Sequence, residues 1–318
     1  MRTLLITRPQ PDPVVDAARA FMEVTVRQSN APLSDKELRD ALQNYDAVMP
    51  TLGDQFSEQV FYEVMEPKCK ILANFGVGYN HIDTISANRR AITVTNTPGA
   101  VTDATADIAM ALILMSARRL GEGERLVRAG KWDGWNPMQM LGMHVTGRTV
   151  GIIGMGNIGT AIARRCHYGF GMKVIYANRS EKRMEFPAEQ MAQHELARHA
   201  DIVVVAVPGG RETHHLIGAG FLSSMQPHAH FINIARGDVV DESALINALQ
   251  LGKIAGAGLD VYEHEPAVPK DLMALENVTL LPHLGTAALD VRTAMGMMAV
   301  ENLRAFFKAE TPPNVVNC

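Results

Sequence analysis

Residues 149–159 read Thr-Val-Gly-Ile-Ile-Gly-Met-Gly-Asn-Ile-Gly, an apolar β-branched run that enters Gly154-x-Gly156-x-x-Gly159 and continues into the helix-forming stretch Thr160-Ala-Ile-Ala-Arg-Arg. Strand, glycine turn and helix in that order make a seat for a dinucleotide pyrophosphate. The first glycine permits the tight turn, the second lets backbone approach the phosphates, and the third lets helix pack on strand; the helix N-terminus adds unpaired N–H groups and a positive dipole end. A glycine triplet alone is weak evidence. Here a second strand, Lys173-Val-Ile-Tyr-Ala, follows, and its end is where the residue that reads the ribose is expected. That end carries Asn178-Arg179-Ser180 and no carboxylate. An acidic residue would accept from the adenosine 2′-hydroxyl, whereas a guanidinium and a hydroxyl suit a 2′-phosphate. NADP(H) is therefore the expected preference, with NAD(H) as the alternative.

Working outward, strands are expected at 149–153, 173–177, 202–207, 230–235, 254–259 and 278–281, interleaved with helices: a six-stranded, doubly wound Rossmann domain. The fingerprint sits at the middle of the chain, so about 150 residues precede it and belong to something else. Leu4–Thr7, Val24–Arg27, Ala47–Pro50, Ile71–Ala73 and Ile92–Thr95 are short apolar runs with helical patterns between them, one opened by the capping box Ser34-Asp-Lys-Glu37. They describe a second, smaller parallel α/β domain. A helical stretch is expected over 102–130, and a final helix over 287–308. That final helix follows the completed dinucleotide domain and is expected to return to the first. The expected division is 1–97 and 287–318 for the substrate domain, of flavodoxin-like type, with 98–286 inserted for the dinucleotide, and the active site in the cleft.

Composition narrows the function. The 318 residues suffice for two cores, and 47% apolar with 20% charged residues is the balance of a soluble enzyme. A net charge of −4 without a basic run argues against nucleic-acid or membrane-surface partners. Cys69, Cys166 and Cys318 are far apart and odd in number, so neither a disulfide framework nor a zinc site is indicated. With an N-terminus too short in apolar residues for a signal peptide, the cytoplasm is the expected location. His214-His215 would be the one pair to consider for a metal, but adjacent side chains on a helix or strand point apart, and none is expected.

Three candidate catalytic residues end three consecutive strands: Arg236 after Phe231-Ile-Asn-Ile-Ala, Glu265 beyond Ala257-Gly-Leu-Asp-Val, and His283 after Val278-Thr-Leu-Leu-Pro. Taken singly each is commonplace, as a surface ion pair, a turn before proline and a satisfied histidine. Together, at carboxyl ends of a parallel sheet downstream of a nucleotide fingerprint, they face one crevice. Reduction of a 2-keto acid develops charge on the carbonyl oxygen. His283 can give the proton, Glu265 can orient the ring and favour its protonated form, and Arg236 can hold the substrate carboxylate.

The strings Gly151-Ile-Ile-Gly-Met-Gly-Asn-Ile-Gly159, Asn233-Ile-Ala-Arg-Gly-Asp238, Gly258-Leu-Asp-Val-Tyr-Glu-His-Glu-Pro266 and Leu281-Pro-His-Leu-Gly-Thr286 resemble the D-isomer-specific 2-hydroxyacid dehydrogenases over essentially the whole chain. The resemblance implies an Arg236/Glu265/His283 triad, with Glu265 chosen over Glu263 because it immediately precedes proline. Asn74-Phe-Gly-Val-Gly78 is similar to the family loop whose backbone N–H groups hold the substrate carboxylate, which places Val77 and Gly78 at the substrate beside Leu52, Arg236 and His283. To the cofactor it assigns Thr105; Asn157 and Ile158 between the second and third fingerprint glycines; Val207, Pro208 and Thr213; Ile234 and Ala235 with Arg236; and Asp260, His283 and Gly285. Asp260 is the expected acceptor for the nicotinamide carboxamide.

Within the family, Lys131-Trp132-x-Gly-Trp135-x-Pro137 and the Asn178-Arg179-Ser180 ending look most like glyoxylate and hydroxypyruvate reductases. Some members bring a residue of this loop across a homodimer into the partner's site, a role open to Trp135 beside that of core packing. Formate dehydrogenases of the family carry glutamine where this chain has Glu265, and phosphoglycerate dehydrogenases are often longer at the C-terminus. The alternatives are a dehydrogenase for 3-phosphoglycerate or a bulkier 2-keto acid, or a cofactor-sensing module like the corepressors of this family.

Overall fold

The computed structural model describes residues 1–317; Cys318 lies outside them. The chain divides into two units, Met1–Val101 with the chain from Thr286 onward, and Thr102–Gly285.

In the first unit β1 (Thr3–Ile6), α1 (Asp12–Arg19), β2 (Glu23–Val26), α2 (Asp35–Asn44), β3 (Ala47–Met49), α3 (Glu58–Glu63), β4 (Ile71–Ala73), α4 (Thr84–Arg89) and β5 (Thr93–Thr95) alternate. Their parallel sheet has the order β2-β1-β3-β4-β5. The inner strands β3 and β4 are wholly buried, which is why they read as unbroken apolar runs. The expected capping box is present: the Ser34 side chain accepts the Glu37 N–H, and the Glu37 carboxylate accepts the Ser34 N–H at 2.8 Å. The chain returns to this unit in the long final helix, described below.

The second unit contains α5 (Thr102–Ala117), α6 (Leu120–Arg128), β6 (Thr149–Ile153), α7 (Asn157–Phe170), β7 (Lys173–Ala177), β8 (Ala188–Gln190), α8 (Gln193–His199), β9 (Ile202–Val205), α9 (Ala219–Ser224), β10 (His230–Asn233), α10 (Glu242–Gln250), β11 (Gly256–Leu259), α11 (Lys270–Met273) and β12 (Val278–Leu280). Its sheet is parallel throughout, in the order β12-β11-β10-β9-β6-β7-β8. That makes seven strands where six are expected. The extra one, β8, is a three-residue edge strand, Ala-Glu-Gln, too short and too polar to show an apolar pattern. The helix expected over 102–130 is two helices, because Arg119 takes a left-handed conformation (φ 53°) and ends the run between α5 and α6. α5 is buried along much of its length and α6 has no buried residue.

The last helix, α12 (Leu289–Phe307), packs on α1 and β4 of the first unit, where Ala299, Val300 and Leu303 join Leu4, Ile6, Val14 and Ile71 in one core. Gly296 lies so close to Val14 that an added Cβ would come within 2.4 Å of it. Among the described residues, no helix is long and apolar enough to cross a membrane.

Candidate active site

The glycine turn sits where the strand order of the larger sheet reverses, since β6 pairs with β7 on one side and β9 on the other. Gly154 has φ 98°, and a Cβ there would meet the Ala206 main chain at 2.8 Å. At Gly159 a Cβ would stand 2.1 Å from the Gly154 carbonyl oxygen, which explains the glycine on the first turn of α7. Gly156 differs: nothing lies within 4 Å of its virtual Cβ, and it caps α7 ahead of Asn157 and Ile158. Two glycines thus serve packing, and the third leaves open space before a helix N-terminus, as a pyrophosphate requires.

At the end of β7 the Asn178 side chain ties two loops together, accepting the Met155 N–H at 3.2 Å and donating to the Ser180 carbonyl at 2.8 Å. Arg179 is exposed and pairs with Glu212 at 3.1 Å. Sequence reasoning missed Glu212, because it lies on the loop after β9 and no local pattern joins it to Arg179. On that loop the Thr213 hydroxyl donates to the Pro208 carbonyl at 2.7 Å, and the Val207 side chain closes on Gly154.

Strands β10, β11 and β12 are neighbours, and their ends bring the catalytic candidates together. Ile234 and Ala235 are buried and lead into Arg236. Asn233, unassigned in the sequence reading, shapes that turn: its side chain accepts the Ala235 N–H at 3.0 Å and donates to the Arg236 carbonyl at 3.0 Å. Gly237 follows because a Cβ there would come within 1.8 Å of the Tyr262 carbonyl carbon. Burial pushes the Arg236 pKa below its ordinary value, against the opposing pull of Glu265 and Asp238. Glu265 accepts the Tyr262 N–H at 3.0 Å on Oε1 and faces His283 Nδ1 at 2.8 Å on Oε2. Burial raises the Glu265 pKa, but His283, the Tyr262 N–H and Arg236 outweigh it, and the net direction is down.

His283 is held in the left-handed region (φ 53°). Its own N–H donates to the Asp260 carbonyl at 2.9 Å, while the Asp260 carboxylate accepts from Leu284 and Gly285 at 2.6 and 2.8 Å. Asp260 is buried, and burial raises its pKa despite those two N–H groups. Two of its carboxylate lone-pair sites are thereby used and two remain. Thr105, buried on α5, donates to the Gly285 carbonyl at 3.2 Å and closes the same loop from below. With Nδ1 turned to a carboxylate, Nε2 is the ring nitrogen left for a reacting oxygen.

In the first unit, Asn74 donates to the carbonyls of Gly76 and Gly78 at 3.0 and 2.9 Å, and Asn96 donates to that of Val77 at 2.8 Å. In a planar trans peptide the N–H lies opposite the carbonyl, so the N–H groups of Val77 and Gly78 point away from those side chains. Leu52 is partly exposed beside Gly53, on a turn that the buried Asp54 carboxylate anchors by accepting from the Thr51 N–H and the Thr7 hydroxyl.

Two expectations change. Trp135 is not in a core: it is 80% exposed, near exposed Trp132, Met138 and Leu141 in sequence. The two adjacent histidines do not diverge either. His215 has φ 49°, which turns the backbone so that the rings stack, 4.1 Å between centroids, and His215 Nε2 meets Glu263 Oε1 at 2.7 Å.

Comparison with known proteins places the chain in a family. Residues 110–285 match the model of the D-isomer specific 2-hydroxyacid dehydrogenase NAD-binding domain. A glyoxylate reductase of Thermococcus onnurineus is 43% identical over 321 aligned residues, covering 99% of this chain and 95% of that protein. Among solved structures, a Thermus thermophilus protein superposes with a TM-score of 0.91 at 39% identity, covering 99% of each chain. The NADPH-dependent glyoxylate/hydroxypyruvate reductase of Sinorhizobium meliloti, in complex with NADP and malonate, gives 0.88 at 34%, covering 99% of this chain and 96% of that one. With a family model matching more than half of the chain and relatives above 40% identical along nearly its whole length, the chain belongs to the D-isomer specific 2-hydroxyacid dehydrogenases, oxidoreductases of 2-hydroxy acids that use a nicotinamide cofactor.

Proposed function

We propose that this protein reduces small 2-keto acids with NADPH in preference to NADH, taking glyoxylate to glycolate and hydroxypyruvate to D-glycerate. The observation that carries the chemistry is the 2.8 Å pairing of His283 Nδ1 with Glu265, next to Arg236. The glycine turn, with two positions closed to a Cβ and one open, fits the dinucleotide, which supplies the hydride when bound. Arg236 holds the substrate carboxylate, and its cation polarises the keto oxygen. His283 Nε2 gives that oxygen its proton as the hydride reaches carbon, so the product gains one hydride and one proton. Glu265 stabilises the charged ring before transfer and keeps its orientation after.

The cofactor preference rests on Arg179 and on the lack of a carboxylate at the end of β7. NADP is also the ligand of the Sinorhizobium meliloti relative. The restriction to small substrates rests on Leu52 and on Trp135, which we assign to the active site of the partner in a homodimer. Support comes from the exposure of Leu120, Val127, Trp132, Trp135 and Leu141 around a helix, α6, with no buried face.

The test is oxidation of NADPH and of NADH followed at 340 nm against glyoxylate, hydroxypyruvate, pyruvate and phenylpyruvate, with light scattering for the mass in solution. Glyoxylate and hydroxypyruvate should exceed phenylpyruvate by at least about 100-fold in kcat/KM, roughly 2.7 kcal/mol of discrimination. Comparable turnover of phenylpyruvate overturns the small pocket, equal use of the two cofactors overturns the role of Arg179, and a monomer overturns that of Trp135.

A further inference from the structure

We propose that His214 and His215, on the loop between β9 and α9, and Glu263, on the segment after β11, form a binding site for a transition-metal dication of the Zn²⁺ class. One ligand atom from each residue lies within 4.8 Å of the others. Two imidazoles and a carboxylate are the donor set of borderline metals and not of Mg²⁺ or Ca²⁺, which take oxygen.

The convergence is built by the backbone. Adjacent residues in a strand or helix cannot chelate together, but at φ 49° His215 reverses the chain locally and lays its ring against that of His214. The turn is anchored on both sides: the His215 N–H donates to the Asp238 carbonyl at 2.8 Å and the Ile217 N–H to the Val239 carbonyl at 3.0 Å. Glu263 is oriented as well. Its Oε2 accepts the Glu242 N–H at 3.4 Å, which leaves Oε1 toward His215 Nε2 at 2.7 Å. Hydrogen-bonded support of this kind is what fixes a carboxylate ligand.

Tetrahedral Zn²⁺ with bonds of about 2.0–2.1 Å places its donors about 3.3 Å apart, so the His215–Glu263 pair, now hydrogen-bonded at 2.7 Å, opens slightly and gives up its shared proton as His214 closes in. The ring lone pairs lie in the ring planes, and the present stack, with planes at 24°, does not aim both at one point. The His214 ring therefore turns about its side-chain bonds when the ion enters, which its exposure permits. Two donors that already face each other and a third that swings in leave a coordination position for water. The ion clips the loop carrying His214 and His215 to the segment carrying Glu263, two residues before Glu265, and contacts none of the triad.

The experiment titrates the full chain, stripped with EDTA, with ZnCl₂ alone by calorimetry, and records the visible spectrum with Co²⁺. Expected are about one equivalent of tight binding, tetrahedral Co²⁺ bands, and a Tm that rises with Zn²⁺. His214→Ala and Glu263→Gln should each weaken binding at least about tenfold and remove the rise in Tm. His194→Ala, at an exposed histidine with its own carboxylate neighbour Glu195 at 3.2 Å, should change nothing. Because Glu263 also accepts from Glu242, its variant is read beside His214→Ala, whose ring is exposed and whose fold circular dichroism checks. Zn²⁺ isotherms in His214→Ala that match the parent, an equal loss in His194→Ala, or no Co²⁺ bands overturn the site.

Discussion

Glu265→Gln removes a charge from the active site while keeping the side chain's shape and its hydrogen bond. The carboxylate stands 2.8 Å from His283 Nδ1, and both side chains are about one-third exposed, at 30% and 31%. A hydrogen bond to a charged group contributes roughly 1.5–3 kcal/mol and a neutral one roughly 0.5–1.5, so the variant loses about 1–2 kcal/mol of preference for the imidazolium. The same contact holds the Glu265 pKa down against the effect of its burial, so its loss should displace the pH limb of reduction. The sign of the displacement follows from the direction of the reaction. Reduction needs the protonated ring, so activity falls as pH rises through the limb, and weaker retention of the proton brings that fall to lower pH. The assay is kcat/KM for glyoxylate from pH 5 to 9, parent against variant, with His283→Ala giving the residual rate. A limb that coincides with the parent's, or one moved to higher pH, refutes the assigned role of Glu265.

Arg179→Ala should weaken NADPH about 10- to 100-fold, from roughly 1.5–3 kcal/mol of charge-assisted contact, and leave NADH nearly unchanged; equal losses in fluorescence titrations with both cofactors refute it. Glu212→Gln should move NADPH the other way by no more than about fivefold, since it frees Arg179 from an exposed pair worth at most about 1 kcal/mol; unchanged or weaker NADPH binding counts against this competition. Gly159→Ala and Gly156→Ala should separate packing from binding. The first forces a Cβ to 2.1 Å from a carbonyl oxygen and should cost about 1–3 kcal/mol or more in urea denaturation; the second, in open space, should keep its stability and lose cofactor affinity. His230, buried and bonded to Ser116 at 2.8 Å, has its pKa pushed by burial down to about 4 from 6.5. The unfolded chain takes up this proton at higher pH than the folded one, so stability should fall as pH drops from 6.5 toward 4, by up to roughly 3 kcal/mol. His230→Asn should flatten that part of the curve, and parallel urea midpoints at pH 7 and 4.5 in parent and variant would exclude the contribution.

What could be read from the sequence and what could not divide along the topology of the larger sheet. Strands β10, β11 and β12 are consecutive both in the chain and in the sheet, so residues ending them become neighbours in space, and Arg236, Glu265 and His283 could be grouped from strand ends alone. At β6 this correspondence fails, because β7 lies on one side of it and β9 on the other. The glycine turn remained legible there, since its steric demands are local. The partner of Arg179 did not, because Glu212 is 33 residues away on a loop reached from the opposite side. His214, His215 and Glu263 were hidden by another cause: a left-handed conformation at a histidine carries no sequence signature, and without it the two rings diverge. The break between α5 and α6 is of the same kind, a left-handed Arg119 where neither glycine nor proline marks an end. Side chains whose neighbours are set by strand order can therefore be grouped from sequence, whereas those set by a single backbone torsion or by the crossing at β6 need coordinates. In this chain the candidate catalytic residues Arg236, Glu265 and His283 fall in the first group, and Glu212, the counter-ion of Arg179, falls in the second.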